Sequence, residues 1–182
     1  MKEALEKSRY PIGKFVCPDE ISDALFQEWL QKIADFPDLL KEEVQNLSEE
    51  ALRNTYREEG WTIAQLVHHC ADSHMNSFIR FKLALTENEP TIKPYLEDQW
   101  ALLPDASIVG IGYSLLILEG LHARWAALLA NLTDEMRNRT FVHPETNQRI
   151  SLRINTGIYA WHGEHHLAHI RLAKKNAERR DT

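Results

Sequence analysis

Four histidines fall within eight residues near the C-terminus, in Trp161-His162-Gly163-Glu164-His165-His166-Leu167-Ala168-His169. The flanks, 152–159 and 170–177, read as helix. Packing several imidazoles together costs desolvation unless each ring gains a partner, so this stretch constrains the fold around it. A helix repeats every ~3.6 residues, and side chains four apart lie one above the other. Two such pairs exist, His162/His166 and His165/His169. A pair at that spacing offers a metal two imidazoles from one rigid element. The chain is therefore expected to be a helical bundle that presents one pair and adds a third ligand from elsewhere.

The rest of the chain supplies helices for such a bundle. Tyr10-Pro11-Ile12-Gly13-Lys14-Phe15 mixes turn and apolar residues and should lie extended over it. After Ser22, the residues Phe26, Trp29, Ile33, Phe36, Leu40, Val44 and Leu47 keep helical spacing. Pro37 interrupts that run, which predicts a kink or a break. Ser48, ahead of two glutamates, suits the start of a short helix. Thr62-Ile63-Ala64-Gln65 is a capping box, with Trp61 and Leu66 at the positions of a hydrophobic staple. The helix it opens should run to about Leu85. Thr91 to about Ser114, with Pro94, Pro104, Gly110 and Gly112, reads as a long connection. Leu118, Leu121, Trp125, Leu128 and Leu132 then give a third helix an alternating three-four seam. Residues 140–150 fit a small hairpin or an irregular loop, and a last helix runs from about Leu152 to Arg179. The expected fold is all-α, a four-helix bundle with a long crossover loop and a small hairpin before the last helix. Residues 1–182 are expected to form a single domain.

Composition removes several function classes. A net charge of −6 argues against a general nucleic-acid binder. No apolar run approaches membrane-spanning length, and Met1 to Tyr10 lacks the apolar core of a signal peptide. Cys17 and Cys70 form no metal or redox spacing, and a reducing cytoplasm is the simplest compartment. The histidine cluster is neither HExxH nor HxxEH, and GxSxG and phosphate-loop motifs are absent. Glu119-Gly120-Leu121-His122 is an ExxH without the second copy that a di-iron bundle needs.

A third ligand is most naturally sought on the second long helix, at His68, His69 or His74. His74 shares the apolar stripe of Ile63, Val67, Cys70, Phe78 and Phe81 and reads as a hydrogen-bonded core residue. His69 lies with Ser73, Asn76 and Arg80 on a polar flank that could border a pocket. His122 and His143 read as surface residues or as supports behind the ligands. Periodicity alone does not choose between His162/His166 and His165/His169.

The chain resembles the DinB/YfiT-like superfamily of metal-binding four-helix bundles, and within it the YfiT group. The likeness shows in Tyr10-Pro11-Ile12-Gly13, in Gly60-Trp61-Thr62, and in 67–77 with Val67-His68-His69-Cys70-Ala71-Asp72. It continues through 79–83, Leu121-His122-Ala123-Arg124-Trp125, His143-Pro144 and Trp161-His162, and so covers nearly the whole chain. The resemblance implies metal ligands at His69, three residues before Asp72, and at His162 and His166. It makes His165 and His169 neighbours. It also implies one divalent ion per chain, zinc or nickel, and a homodimer.

Three neutral imidazoles leave such an ion its full charge and an open position, where water or a thiol is acidified. Because members of the superfamily use small thiols, the resemblance puts transfer of a bacillithiol-type thiol to an electrophile first. Metal-dependent hydrolysis comes second, and a non-catalytic metal-binding protein third. The catalytic group itself would be the water or thiol on the ion. Asp72 and Glu164 are the sequence-local candidates to support the ligands, Tyr159 and Asn76 to line the pocket, and Arg80, Lys93 or Arg124 to hold an anionic co-substrate.

Overall fold

The computed structural model describes residues 2–179. It opens with a short helix that the sequence pattern did not suggest, α1 (Lys2–Arg9), followed by a turn at 10–12. The segment after the turn lies over the bundle as expected. Trp161 Nε1 donates to the Gly13 carbonyl at 3.2 Å, and the Phe15 ring meets Trp29 edge-on.

Ser22 caps α2 (Asp23–Val44) by accepting from the Leu25 amide. Of the kink or break expected at Pro37, the break does not occur: the helix carries on to Val44. Phe26, Trp29, Ile33, Phe36, Leu40 and Val44 are buried on both sides of the proline, and that continuous stripe outweighs one missing hydrogen bond. The missing bond has a definite place. Pro37 has no N–H to donate four residues back, so the Ile33 carbonyl loses its helical partner.

A single turn, α3 (Glu49–Leu52), starts at Ser48 as its N-cap predicts. Both arms of the Thr62–Gln65 capping box are made, at 3.1 and 3.0 Å, and α4 (Ile63–Thr86) begins there. The long connection is less irregular than the sequence suggests. It holds two single turns, α5 (Glu97–Trp100) and α6 (Asp105–Ile108), before α7 starts (Gly112–Ala130). After α8 (Asp134–Arg137), β1 (Thr140–His143) and β2 (Gln148–Ser151) pair antiparallel as the small hairpin. Ser151 then caps α9 (Leu152–Glu178).

The bundle is α2, α4, α7 and α9, with α2 and α4 each packed against both α7 and α9. Two glycines let α9 come close to α2. A Cβ at Gly157 would stand 2.7 Å from the Trp29 ring, and one at Gly163 2.7 Å from the Phe36 ring. The seam of α7 is turned from the expected one: Leu118, His122, Trp125 and Leu129 are buried, whereas Leu121 and Leu128 are only half-buried. Two apolar clusters result. One contains Phe26, Phe81, Trp125 and Tyr159, the other Phe36, Leu40, Leu66, Leu118 and Ile170. His74 touches both, with its ring 4.8 Å from Phe36 and 5.3 Å from Tyr159. A layer of imidazoles thus crosses the core between two greasy halves. Among the described residues, no helix is long and apolar enough to cross a membrane.

Candidate metal centre

Three nitrogens converge where α4 faces α9. His162 Nε2 lies 3.3 Å from His69 Nε2 and 3.2 Å from His166 Nε2. Tetrahedral zinc with Zn–N bonds of 2.0–2.1 Å spaces its nitrogen ligands about 3.3–3.4 Å apart. The two edges therefore fit one ion. His69 and His166 are buried and His162 is half-buried. Burial pushes the His69 ring down to about 4, with His169 adding to it. Burial first, then the neighbouring imidazoles, holds His162 and His166 well below the usual histidine range. At neutral pH all three rings are uncharged, so an ion need displace no proton from them. Neutral nitrogen donors at this spacing suit zinc and similar divalent ions.

A second trio, His165, His166 and His169, has ligand atoms within 4.8 Å of one another. It shares His166, and two of its members have other occupations. His169 Nε2 is 3.2 Å from the Arg9 carbonyl, and its ring stacks on Tyr56 at 3.9 Å. The His165 ring stacks on Trp161 at 4.5 Å. Neither residue lines the large cavity beside the first trio, a space of about 790 Å³ bounded by Ser73, Arg80, Tyr95, His143, Tyr159 and His162. Of the two trios, the first has a member, His162, that lines this cavity, a volume able to receive a substrate.

Behind two of the three rings, His162 and His166, stand further imidazoles. His162 Nδ1 lies 2.9 Å from His74 Nε2, His74 Nδ1 is 2.7 Å from His122 Nε2, and His122 Nδ1 is 2.6 Å from the Ile33 carbonyl. His74 is thus the hydrogen-bonded core residue that its apolar stripe suggests. His122 is not a surface residue: it is 1% exposed and closes the row. On the other side, His166 Nδ1 faces His169 Nδ1 at 3.4 Å.

The carboxylates chosen for sequence proximity do not take this place. Glu164 points outward and pairs with Lys32 at 3.3 Å. Among the described residues Asp72 has no hydrogen bond to an imidazole; its carboxyl is pushed up to about 6 by burial, with Asp105 adding to it. Tyr159 does line the cavity, and its hydroxyl is tied to Ser73, 3.2 Å from the carbonyl and 3.3 Å from Oγ. Arg80 also lines the cavity, and its buried Nε has no partner among the described residues. Asn76 instead donates to the Asp72 carbonyl, Lys93 is exposed, and Arg124 lies over the Phe78 ring. His68, the remaining candidate on α4, bonds Ser114 at 2.8 Å, away from the converging nitrogens. His143 lines the cavity from β1.

The DinB superfamily profile matches residues 27–170. A Bacillus cereus protein provisionally named a metal-dependent hydrolase is 49% identical over 167 residues, covering 92% of this chain and 95% of its own. A protein of Oceanobacillus iheyensis with the same provisional name is 51% identical over 162 residues, covering 89% and 93%. Among solved structures, YfiT from Bacillus subtilis superposes with a TM-score of 0.92 at 43% identity, over 94% of this chain and 98% of that one. It is described as having an unusual four-helix bundle topology and, provisionally, as a metal-dependent hydrolase.

Proposed function

The chain belongs to the DinB superfamily, and from that premise we propose that it is a metal-dependent enzyme in which His69, His162 and His166 hold one divalent ion beside the substrate cavity. The observation that carries this reading is the convergence of three uncharged imidazole nitrogens, one of them lining a cavity of about 790 Å³. An ion bound by three nitrogens supplies Lewis acidity at its remaining position, lowering the pKa of water or a thiol that enters there.

The chain's own residues shape what can enter. The Tyr159 hydroxyl, fixed by Ser73, gives one wall a polar edge. Arg80 brings a permanent positive charge, and its fork suits a carboxylate on the substrate. We place hydrolysis first, because close relatives carry that provisional name. Transfer of a small thiol, the reaction the sequence resemblance put first, becomes the second reading. It is favoured by the cavity's size, which admits a nucleophile together with an electrophile, and by the unpartnered Arg80 Nε.

Elemental analysis should find about one divalent ion per chain in purified protein and almost none in His162→Ala. An ion-free wild type, or full retention in the variant, contradicts the ligand assignment. Panels of esters and amides, run beside an electrophile with bacillithiol, then separate the two reactions. Conjugation that needs the metal, without hydrolysis, would put thiol transfer ahead of hydrolysis.

A further inference from the structure

The row of imidazoles behind His162 ends on a group that can only accept. We propose that Pro37, His122 and His74 are positioning residues: together they fix the proton on His162 Nδ1 and so leave its Nε2 lone pair free for the ion. The proposal rests on the reading of His162 as a metal ligand, and it extends that reading to residues outside the coordination sphere.

The argument starts on α2. A helical carbonyl normally accepts from the amide four residues on. Four residues after Ile33 stands Pro37, which has no N–H and whose ring crowds that carbonyl outward. The freed oxygen lies 2.6 Å from His122 Nδ1. A carbonyl cannot donate, so His122 Nδ1 must carry the proton. The ring is buried with no carboxylate among its hydrogen-bond or ring contacts, so it holds one proton only, and its Nε2 accepts. His74 Nδ1, at 2.7 Å, must then donate, which leaves His74 Nε2 as an acceptor. His162 Nδ1, at 2.9 Å, donates in turn. Its Nε2, the atom facing His69 and His166, is left with a lone pair and no proton. Reversing any one link would set two protons, or two lone pairs, against each other in the core.

His166 is ordered by the same logic over a shorter path. The Arg9 carbonyl belongs to the last turn of α1, where carbonyls lack helical partners. It accepts from His169 Nε2, which leaves His169 Nδ1 to accept from His166 Nδ1 across a longer 3.4 Å. Both ligands of the HxxxH pair are therefore held as the tautomer that aims a bare Nε2 at the site. Outer partners of this kind fix ring orientation and tautomer in metal centres; in this bundle they are other histidines ending on main-chain oxygen.

Long-range proton–nitrogen NMR on ¹⁵N-labelled protein reads the tautomers directly, metal-free and zinc-loaded. Protons on Nδ1 of His122, His74 and His162 are expected; a proton on Nε2 of His122 or His74 overturns the relay. Zinc affinity, measured by competition with a chromophoric chelator, should fall about 10–100-fold in His122→Phe. It should fall several-fold in Pro37→Ala, where a restored amide draws the Ile33 carbonyl back into the helix while helix content is retained. A purely structural role for Pro37 would leave zinc affinity unmoved, and an unchanged affinity in Pro37→Ala counts against the proposal. If His122→Phe does not fold, the spectra and Pro37→Ala still decide. Wild-type protein that binds no zinc defeats the ligand reading and the relay's purpose with it. Zinc binding alongside the opposite tautomers defeats the relay alone.

Discussion

Replacing Gly163 by alanine should destabilise the protein, although alanine is the better helix former. Residue 163 lies inside α9, and in a helix interior alanine is favoured over glycine by about 1 kcal/mol. Against that gain stands the Phe36 ring. A Cβ at 163 would lie 2.7 Å from Cδ2 and 3.2 Å from two further ring carbons, well inside van der Waals contact. Phe36 is 2% exposed, and its ring is backed by His74 at 4.8 Å and His122 at 5.4 Å, so it has nowhere to swing. Overpacking of this kind costs about 1–3 kcal/mol. The net result is a loss of up to about 2 kcal/mol, combining the two effects. Gly120 in α7 is the control, because it is exposed and a Cβ there meets nothing within 4 Å. Gly120→Ala should stabilise by about 1 kcal/mol. Urea denaturation of both variants at pH 7.5 gives the comparison. The rings behind Phe36 also make Gly163→Ala the variant of the two that weakens zinc binding. If Gly163→Ala stabilises as much as Gly120→Ala, Phe36 yields freely and the close approach of α9 to α2 does not need a glycine.

Acid should unfold the metal-free protein early. Burial holds His122, His165 and His169 at about 4 in the fold against 6.5 for the free side chain. Between those values the unfolded chain binds more protons. The stability is therefore full above pH 6.5 and is lost as pH falls towards 4, by at most about 1.4 kcal/mol per unit for each ring. A urea midpoint that stays flat from pH 7 to 4.5 would show that the rings accept protons without unfolding. Thr62→Ala should cost about 1 kcal/mol through loss of the cap on the Gln65 amide, and an unchanged denaturation midpoint would contradict it. Glu164→Gln should leave zinc content intact and shift stability by less than about 1 kcal/mol, because its partner Lys32 is a surface contact. Loss of zinc in that variant would return Glu164 to the site.

The helix starts were legible because caps are local: Ser22, Ser48 and Thr62 act within three residues of themselves. The seam of α7 was harder. Counting leucines selected Leu121 and Leu128, when the buried stripe passes through His122, a polar residue whose two ring nitrogens are bonded to α4 and α2. Glu164 could have been excluded from the spacing itself. Two residues along a helix turn about 200°, so it lies opposite both His162 and His166. Asp72 could not, since three residues from His69 it shares a side of α4, and only the fold shows its carboxyl near Asp105 instead. The links of the row behind His162 join residues 48, 88 and 89 apart in the chain, beyond any local pattern. Pro37 is the sharpest case. Read locally, it is a helix breaker, and the expected damage is a kink or a break. Read in the fold, it leaves the Ile33 carbonyl without a helical N–H, and that oxygen lies 2.6 Å from the last ring of the row that begins at His162. A residue that looks like a defect in α2 is, in the assembled bundle, the reason the row of imidazoles has a direction.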